Sequence, residues 1–128
     1  MICINHLFIV ILQYINIIMG ITKSEIFTEQ QNKIAIIAKA IGHPARVAIL
    51  QHLFKANSCI CGDLVNEIGL AQPTISQHLK ELKNLNIIKG NIEGTSICYC
   101  INQDTWNEIE QLFQKFLSQK INNQGDCC

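Results

Sequence analysis

An excess of positive charge, a common mark of nucleic-acid-binding proteins, is missing from this chain of 128 residues, because ten Lys and Arg balance ten Asp and Glu. Proline occurs only twice, no low-complexity tract is present, and 48% of the residues are hydrophobic. This composition excludes extensive disorder and is typical of a globular protein. The length favours one domain with a real core over two domains.

The balanced total conceals an uneven distribution of charge. Residues 30–62 contain four cations and no acid, whereas residues 104–126 contain four acids and two lysines. Such a distribution is compatible with DNA binding by one surface, with the acidic part facing away from the phosphates. Solvated helix faces would explain it equally well.

The first eighteen residues are apolar but contain no Lys or Arg, and four polar residues interrupt them. This segment makes a poor membrane span and offers no clear signal-peptide cleavage site. Because Met19-Gly20 resembles an ordinary protein start, we predict that residues 1–18 are an upstream extension; an interfacial or membrane-anchoring helix is the alternative. We predict one domain over residues 24–120 and a flexible tail, residues 121–128.

Hydrophobic spacing predicts three helices in the first half of the domain. The first covers residues 25–41 and ends at Gly42, and the second runs from Pro44 to about Ala56. Asn57 or Ser58 then caps a short third helix, which places Cys59 and Cys61 at its amino end.

A fourth helix is predicted from Gln72 to Asn84, after a short link that contains Gly69. Two short helices across a glycine-containing turn indicate a helix-turn-helix. The outward face of the fourth helix is polar and cationic, which suits a helix that reads the major groove. We predict DNA contacts from this face and from two further cations: Gln72, Thr74, Ser76, Gln77, Lys80, Arg46 and Lys89.

Residues 87–101 read as a β-hairpin with a turn at Glu93-Gly94, and residues 103 to about 120 return to helical spacing. The apolar stripe of this last helix is too broad for so small a domain to bury. We therefore expect the first and last helices to form a homodimer interface, which would place two reading helices about one DNA turn apart. A single-chain core is the alternative.

The segments IGHPARVAIL, CICGDLVNEIGLAQPTISQHLKELKNLNIIKG and EGTSICYCIN resemble the ArsR/SmtB family of metal-responsive repressors over about residues 24 to 120. The resemblance implies a mainly α winged helix-turn-helix of order ααααββα, a dimer, and an operator that is an imperfect inverted repeat. Many relatives have a serine where this chain has Ala71, so capping of the reading helix is expected to be weaker or transferred to Gln72.

Seven cysteines occur, four of them in two CxC motifs and two as a vicinal pair. These spacings suit metal ligation better than structural disulfides. Cys59 and Cys61 resemble the thiolate site of arsenic-sensing relatives, and thiolates are preferred by soft ions. As(III) takes three sulfurs, and the third ligand of some relatives would fall on Leu64. By analogy with relatives that use a vicinal pair, we predict Cys127 or Cys128 instead.

We therefore predict a cytoplasmic repressor, not an enzyme, that is released from double-stranded operator DNA by As(III) or Sb(III) and needs no cofactor or membrane. Repressors of the same fold that respond to Cd(II)/Pb(II) or to thiol oxidation or persulfides remain alternatives, as does a constitutive nucleoid-type DNA binder. Cys98 and Cys100 share one face of a wing strand, where they line the sheet or bind an ion separately. Cys3 is a weak counterpart of a cadmium-sensor ligand. Three histidines of the predicted domain are expected to be structural: His43, His52 and His78.

Overall fold

The computed structural model describes residues 24–62 and 64–121. Helix α1 spans Glu29–Ile41, after a short 3-10 turn at Ser24–Ile26. Its start is fixed at Thr28, whose Oγ1 accepts from the backbone of Gln31 at 3.2 Å, while Gln31 Oε1 accepts from the Thr28 backbone at 2.9 Å. This reciprocal cap satisfies two amide groups at the helix start, so α1 begins later than residue 25, where hydrophobic spacing alone had placed it.

Helix α2 spans Pro44–Ala56. His43 caps it, since Nδ1 of the imidazole accepts from the Ala45 backbone at 3.2 Å, and Pro44 occupies the first turn. The helix ends at Asn57, which adopts the left-handed conformation with φ 50°. Asn57 therefore ends α2, and the prediction that it caps the next helix is wrong.

The chain next forms a short strand, β1, at Ile60–Cys61, and then helix α3 at Leu64–Ile68. The prediction that Cys59 and Cys61 lie at the amino end of the third helix is also wrong. Cys61 is in an extended strand that pairs with the wing. The backbone N–H and C=O groups of this segment therefore form hydrogen bonds across the sheet instead of within a helix. Gly62, with φ +89°, makes the turn between β1 and α3.

Helix α4 spans Gln72–Asn84, the range that the sequence predicts. Ala71 stands at its N-cap without a side-chain cap hydrogen bond, and the Gln72 amide donates instead to Ser76 at 3.2 Å. The weak cap is confirmed, and Gln72 does not replace it.

The wing consists of β2, Ile88–Glu93, and β3, Ser96–Ile101, joined by a turn at Gly94-Thr95. Together with β1 they form a three-stranded antiparallel sheet of order β1-β3-β2, so β3 is the central strand. The winged helix-turn-helix fold is confirmed, with the short strand β1 as an addition to the predicted hairpin.

Helix α5 spans Gln103–Leu117 and closes the domain. Trp106 meets Phe54 of α2 edge to face at 4.7 Å between ring centroids, and Glu108 lies 3.7 Å from Lys33 of α1. The core beneath the helices is aliphatic, and its most deeply buried members come from α2, α4 and the start of the wing: Ile49, Leu53, Ile75, Leu82, Ile87 and Ile88.

Helix α5 leaves its apolar end in solvent, with Phe116 48% and Leu117 72% exposed. Near the start of α1, Ile26 and Phe27 are exposed as well. Within the residues described, no single helix is long and apolar enough to cross a membrane, although α1 and α2 pass a length and composition test as a pair bent by 86°.

Candidate nucleic-acid interface and cysteine site

One face of helix α4 is anchored in the core, and the opposite face is open. Ile75, Leu79 and Leu82 are buried at three- and four-residue spacings, which fixes the rotation of the helix about its axis. The side chains predicted to contact DNA from this helix are all exposed: Gln72, Thr74, Ser76, Gln77 and Lys80.

Hydrogen bonds along α4 hold two of its amide side chains in place. Gln72 donates to Ser76 at 3.2 Å, and Gln77 donates to Glu81 at 3.3 Å. Both bonds join residues four apart on the exposed surface. A polar face with amide, hydroxyl and ammonium groups can bond to base edges and to phosphates.

The two other predicted DNA contacts lie elsewhere. Arg46, on α2, is half-buried, and its Nε has no hydrogen-bond partner among the described residues. The charge of Arg46 helps to lower the pKa of His78 on α4. Lys89 is exposed on β2, in register with Cys100 on β3. The α4 residues thus share one exposed helix face, whereas Arg46 and Lys89 belong to other elements, α2 and β2.

His43 and His78 stack at the junction of α2 and α4, with ring centroids 4.5 Å apart. Burial lowers the pKa of His78, the nearby His43 and Arg46 lower it further, and Glu81 partly opposes them. A neutral imidazole therefore suits this position. His43 also caps α2, and His52 lies 3.8 Å from Glu67 of α3.

Four cysteines lie on one face of the three-stranded sheet. Cys61 pairs with Cys98, and Ile60 pairs with Tyr99, so the next position along both strands brings Cys59 opposite Cys100. Because successive side chains in a strand alternate between faces, the two CxC motifs project to the same side. Residues of the other face, Ile60 among them, pack against the core.

The cysteines form two cross-strand pairs. Cys61 and Cys98 are joined by a disulfide, with their Cα atoms 4.1 Å apart. Cys59 and Cys100 are free thiols, and the hydrogen bond between them is the main cause that raises the pKa of Cys100; burial raises it further, and Lys89 opposes the shift. Cys98, in the central strand, is fully buried, whereas Cys59 and Cys61 are exposed.

Polar groups of β2 border this face. Oε2 of Glu93 lies 3.8 Å from Sγ of Cys61, and Nδ2 of Asn91 lies 3.9 Å from Sγ of Cys59. Within the described residues, the ligand atoms of Cys61, Glu93 and Cys98 all lie within 4.8 Å of one another. Cys61 and Cys98 are joined in a disulfide, so this set can hold a metal ion only after reduction has released both thiolates.

The sequence alone predicts that the two CxC motifs are separate and that the third ligand is Cys127 or Cys128, which lie outside the described residues. The signal that could have joined the motifs is their shared spacing of two. A CxC in an extended segment presents both thiols on one face, and two such segments in one small domain can pair.

Comparison with known proteins agrees with this architecture. Residues 43–89 match the family model "Bacterial regulatory protein, arsR family". An HTH-type transcriptional regulator of Methanocaldococcus jannaschii is 42% identical over 85 residues, which is 66% of this chain and 94% of that protein. The arsenical resistance operon repressor of Bacillus subtilis is 31% identical over 110 residues, which is 84% of this chain and 97% of the repressor.

A solved structure is similar to this fold. The crystal structure of NolR from Sinorhizobium fredii aligns with a TM-score of 0.55 and 24% identity, covering 79% of this chain and 98% of NolR. At this identity the likeness concerns the fold alone. The two sequence relatives are named as transcriptional regulators and not as enzymes.

Proposed function

Because this chain belongs to the arsR family of bacterial regulatory proteins, we propose that it is a dimeric repressor that leaves its operator when a thiophilic ion binds its cysteine thiolates. The observation that carries the proposal is the position of the first CxC motif. Only Gly62 and Asp63 separate Cys61 from Leu64, the first residue of α3 in the helix-turn-helix. A change in the backbone at Cys61 therefore reaches the DNA-binding unit directly.

The DNA contacts are proposed to come mainly from the exposed face of α4. Gln72, Thr74, Ser76 and Gln77 would bond to base edges or sugar-phosphate oxygens, and Lys80 would meet a phosphate. The half-buried Arg46 and the wing residue Lys89 are proposed to add phosphate contacts at the edges of the footprint. The protein then acts in the cytoplasm, on an operator built as an imperfect inverted repeat.

A dimer is proposed because an inverted repeat needs two reading helices. The exposed apolar end of α5, with Phe116 and Leu117, and the exposed Ile26 and Phe27 near α1 supply surface that a second copy would cover. Such a twofold interface uses the same patch on both subunits.

As(III) and Sb(III) are the proposed effectors, with Cys59 and Cys61 as ligands. The relationship to the Bacillus subtilis arsenical resistance operon repressor supports this choice, as does the preference of soft ions for thiolates. The predicted third ligand, Cys127 or Cys128, remains a proposal. Cd(II) and Pb(II) suit the same donor set. For a tenfold to hundredfold release, the coupling between ion and DNA is about 1.4 to 2.8 kcal/mol.

Operator binding measured with and without effector tests this function. A fluorescent duplex from the protein's own promoter region should bind the reduced protein and dissociate on addition of arsenite. Lys80→Ala should weaken binding and lower the salt dependence by about one phosphate contact, whereas Lys120→Ala, a change at an exposed lysine beyond α5, should not. If saturating arsenite, antimonite, Cd(II) and Pb(II) all leave the complex intact, the effector part is wrong.

Regulation by thiol oxidation is a second candidate, favoured by the disulfide between Cys61 and Cys98. A two-electron oxidant such as a hydroperoxide would convert the two thiols to a disulfide, with reduction of the peroxide to water and an alcohol. This alternative predicts that the oxidised and reduced proteins differ in operator affinity without any metal.

A further inference from the structure

The face of the sheet that bears the cysteines carries two more cysteine sulfurs than the first CxC motif supplies. A soft ion bound only by Cys59 and Cys61 would lack its remaining sulfurs, yet the register between β1 and β3 places two more thiols directly opposite them. We infer that Cys59, Cys61, Cys98 and Cys100 of one subunit form a single site for a soft ion when the protein is reduced. The inference rests on the proposed function and specifies which ligands complete its site.

The contacts between the strands support a shared site. Cys61 and Cys98 are close enough to be bonded, and Cys59 and Cys100 share a hydrogen bond. The register thus places Cys61 opposite Cys98, and its continuation by one residue places Cys59 opposite Cys100. In tetrahedral thiolate sites with metal-sulfur bonds of about 2.3 Å, neighbouring sulfurs lie roughly 3.8 Å apart. Once the disulfide is reduced, rotations about the side chains are sufficient to gather sulfurs from both pairs around one ion.

The donor set determines the class of ion. Four thiolates suit a soft tetrahedral ion such as Cd(II), and three of the four suit pyramidal As(III). Glu93, 3.8 Å from Cys61, can act as an oxygen donor or accept a hydrogen bond at the edge of the site. The vicinal pair Cys127 and Cys128 is not required by this arrangement.

The disulfide and the ion compete for the same sulfurs. A trialkylphosphine and water convert the Cys61–Cys98 disulfide to two thiols and the phosphine oxide, so that phosphorus is oxidised by two electrons as the disulfide is reduced. Arsenous acid then reacts with three thiols: three As–S bonds replace three As–OH bonds, and each hydroxyl leaves as water with the proton of one thiol. Cd(II) displaces one proton from each thiol that it binds. Reducing systems keep cytosolic thiols reduced, so the form with a reduced Cys61–Cys98 pair is the one available in the cell.

An ion held by both strands would act on the DNA-binding unit from two sides. Cys61 ends β1 just before α3, and Cys98 and Cys100 lie in the central strand of the wing. Binding would fix the start of the helix-turn-helix to the wing and so determine the angle at which both approach DNA.

Metal binding by the full-length reduced protein tests the inference separately from DNA release. After phosphine reduction and anaerobic removal of the phosphine, titration with Cd(II) should show thiolate-to-metal charge-transfer absorbance that saturates at one ion per subunit. Cys100→Ser should lower Cd(II) affinity at least tenfold, and so should Cys98→Ser. The double variant Cys127→Ser/Cys128→Ser should bind like the wild type, and the unreduced protein should bind at least tenfold more weakly than the reduced one.

Circular dichroism should show that the Cys100→Ser variant is folded; Cys100 is only half-buried, so this substitution is the safer of the two. Wild-type affinity in Cys100→Ser and Cys98→Ser would overturn the inference, and so would loss of binding in the Cys127/Cys128 variant alone. If Cd(II) binding depends on the wing cysteines but no ion releases the operator, the site stands and the proposed function fails. Release that is unaffected by the wing substitutions supports the proposed function and overturns the inference.

Discussion

The imidazole rings of His43 and His78 lie 4.5 Å apart and join the start of α2 to the middle of α4, the second helix of the helix-turn-helix. Burial is the main cause that lowers the pKa of His78, and the charges of His43 and Arg46 lower it further. The arrangement favours a neutral imidazole at His78.

We expect the protein to lose stability as the pH falls below about 6.5, the ordinary pKa of histidine. Burial and the charges of His43 and Arg46 lower the pKa of His78 in the folded protein. Between that lowered value and about 6.5, the unfolded chain therefore binds more protons than the folded chain. In this window the free energy of unfolding decreases as the pH is lowered. His78→Gln should reduce the loss. Urea unfolding at a series of pH values measures it.

Glu81→Gln provides the opposite change for comparison, since Glu81 raises the pKa of His78. Its removal should steepen the loss of stability on acidification. Equal slopes in the wild type and both variants would show that this junction does not govern the pH dependence.

The disulfide between Cys61 and Cys98 should make the oxidised protein more stable than the reduced one. The bond closes a loop with a sequence separation of 37 residues, which restricts the unfolded chain by an amount worth about 4 kcal/mol. Urea unfolding with and without reductant measures the difference. Cys61→Ser should abolish it and Cys59→Ser should retain it; a difference that survives Cys61→Ser would have to come from other cysteines.

Ala71→Ser should stabilise the protein by about 1 kcal/mol. Ala71 has the extended backbone of an N-cap residue but no side chain to accept a hydrogen bond from the first turn of α4. Ala71→Val is the matched control, because Val adds no acceptor at this exposed position and is as poor an N-cap residue as Ala. Thermal or urea unfolding measures both, and an Ala71→Ser variant no more stable than Ala71→Val would show that the cap is not the weak point.

Leu117→Glu should weaken dimerisation by at least tenfold, because it places a charge on the exposed apolar end of α5. Ile92→Glu is the control: Ile92 is 81% exposed, but it lies on the wing. Sedimentation velocity over a range of concentrations measures the monomer-dimer equilibrium. Identical behaviour of the two variants would place the interface elsewhere.

The sequence predicted the parts of this fold that depend on local periodicity. Helix α4 has the predicted bounds because its apolar residues recur at helical spacing and Pro73 suits its first turn. Strand β1 was missed because a strand of two residues has no periodicity of its own and is formed only by pairing with β3. For the same reason the sequence did not predict that the two CxC motifs lie side by side. Cys61 and Cys98 have a sequence separation of 37, and only the pairing of β1 with β3 brings them together.

The segment between α2 and α3 was predicted less well, for a related reason. Asn57 can begin a helix or end one, and its left-handed backbone shows that it ends α2. The exposure of the α4 residues followed from a helical wheel, but the partial burial of Arg46 against His78 depends on how α2 crosses α4. Crossing geometry is a tertiary property that spacing along one helix does not contain.

All four sheet cysteines belong to a single subunit. This placement affects how release from DNA would depend on the concentration of the ion. Each half of a dimer would carry its own complete receptor, so ion capture would need no assembly and would occur equally in an isolated protomer. The proposed twofold operator would, by contrast, engage both halves at once. Under that proposal, an ion bound in one half would already lower the affinity of the dimer for DNA, so release would begin before both sites are filled.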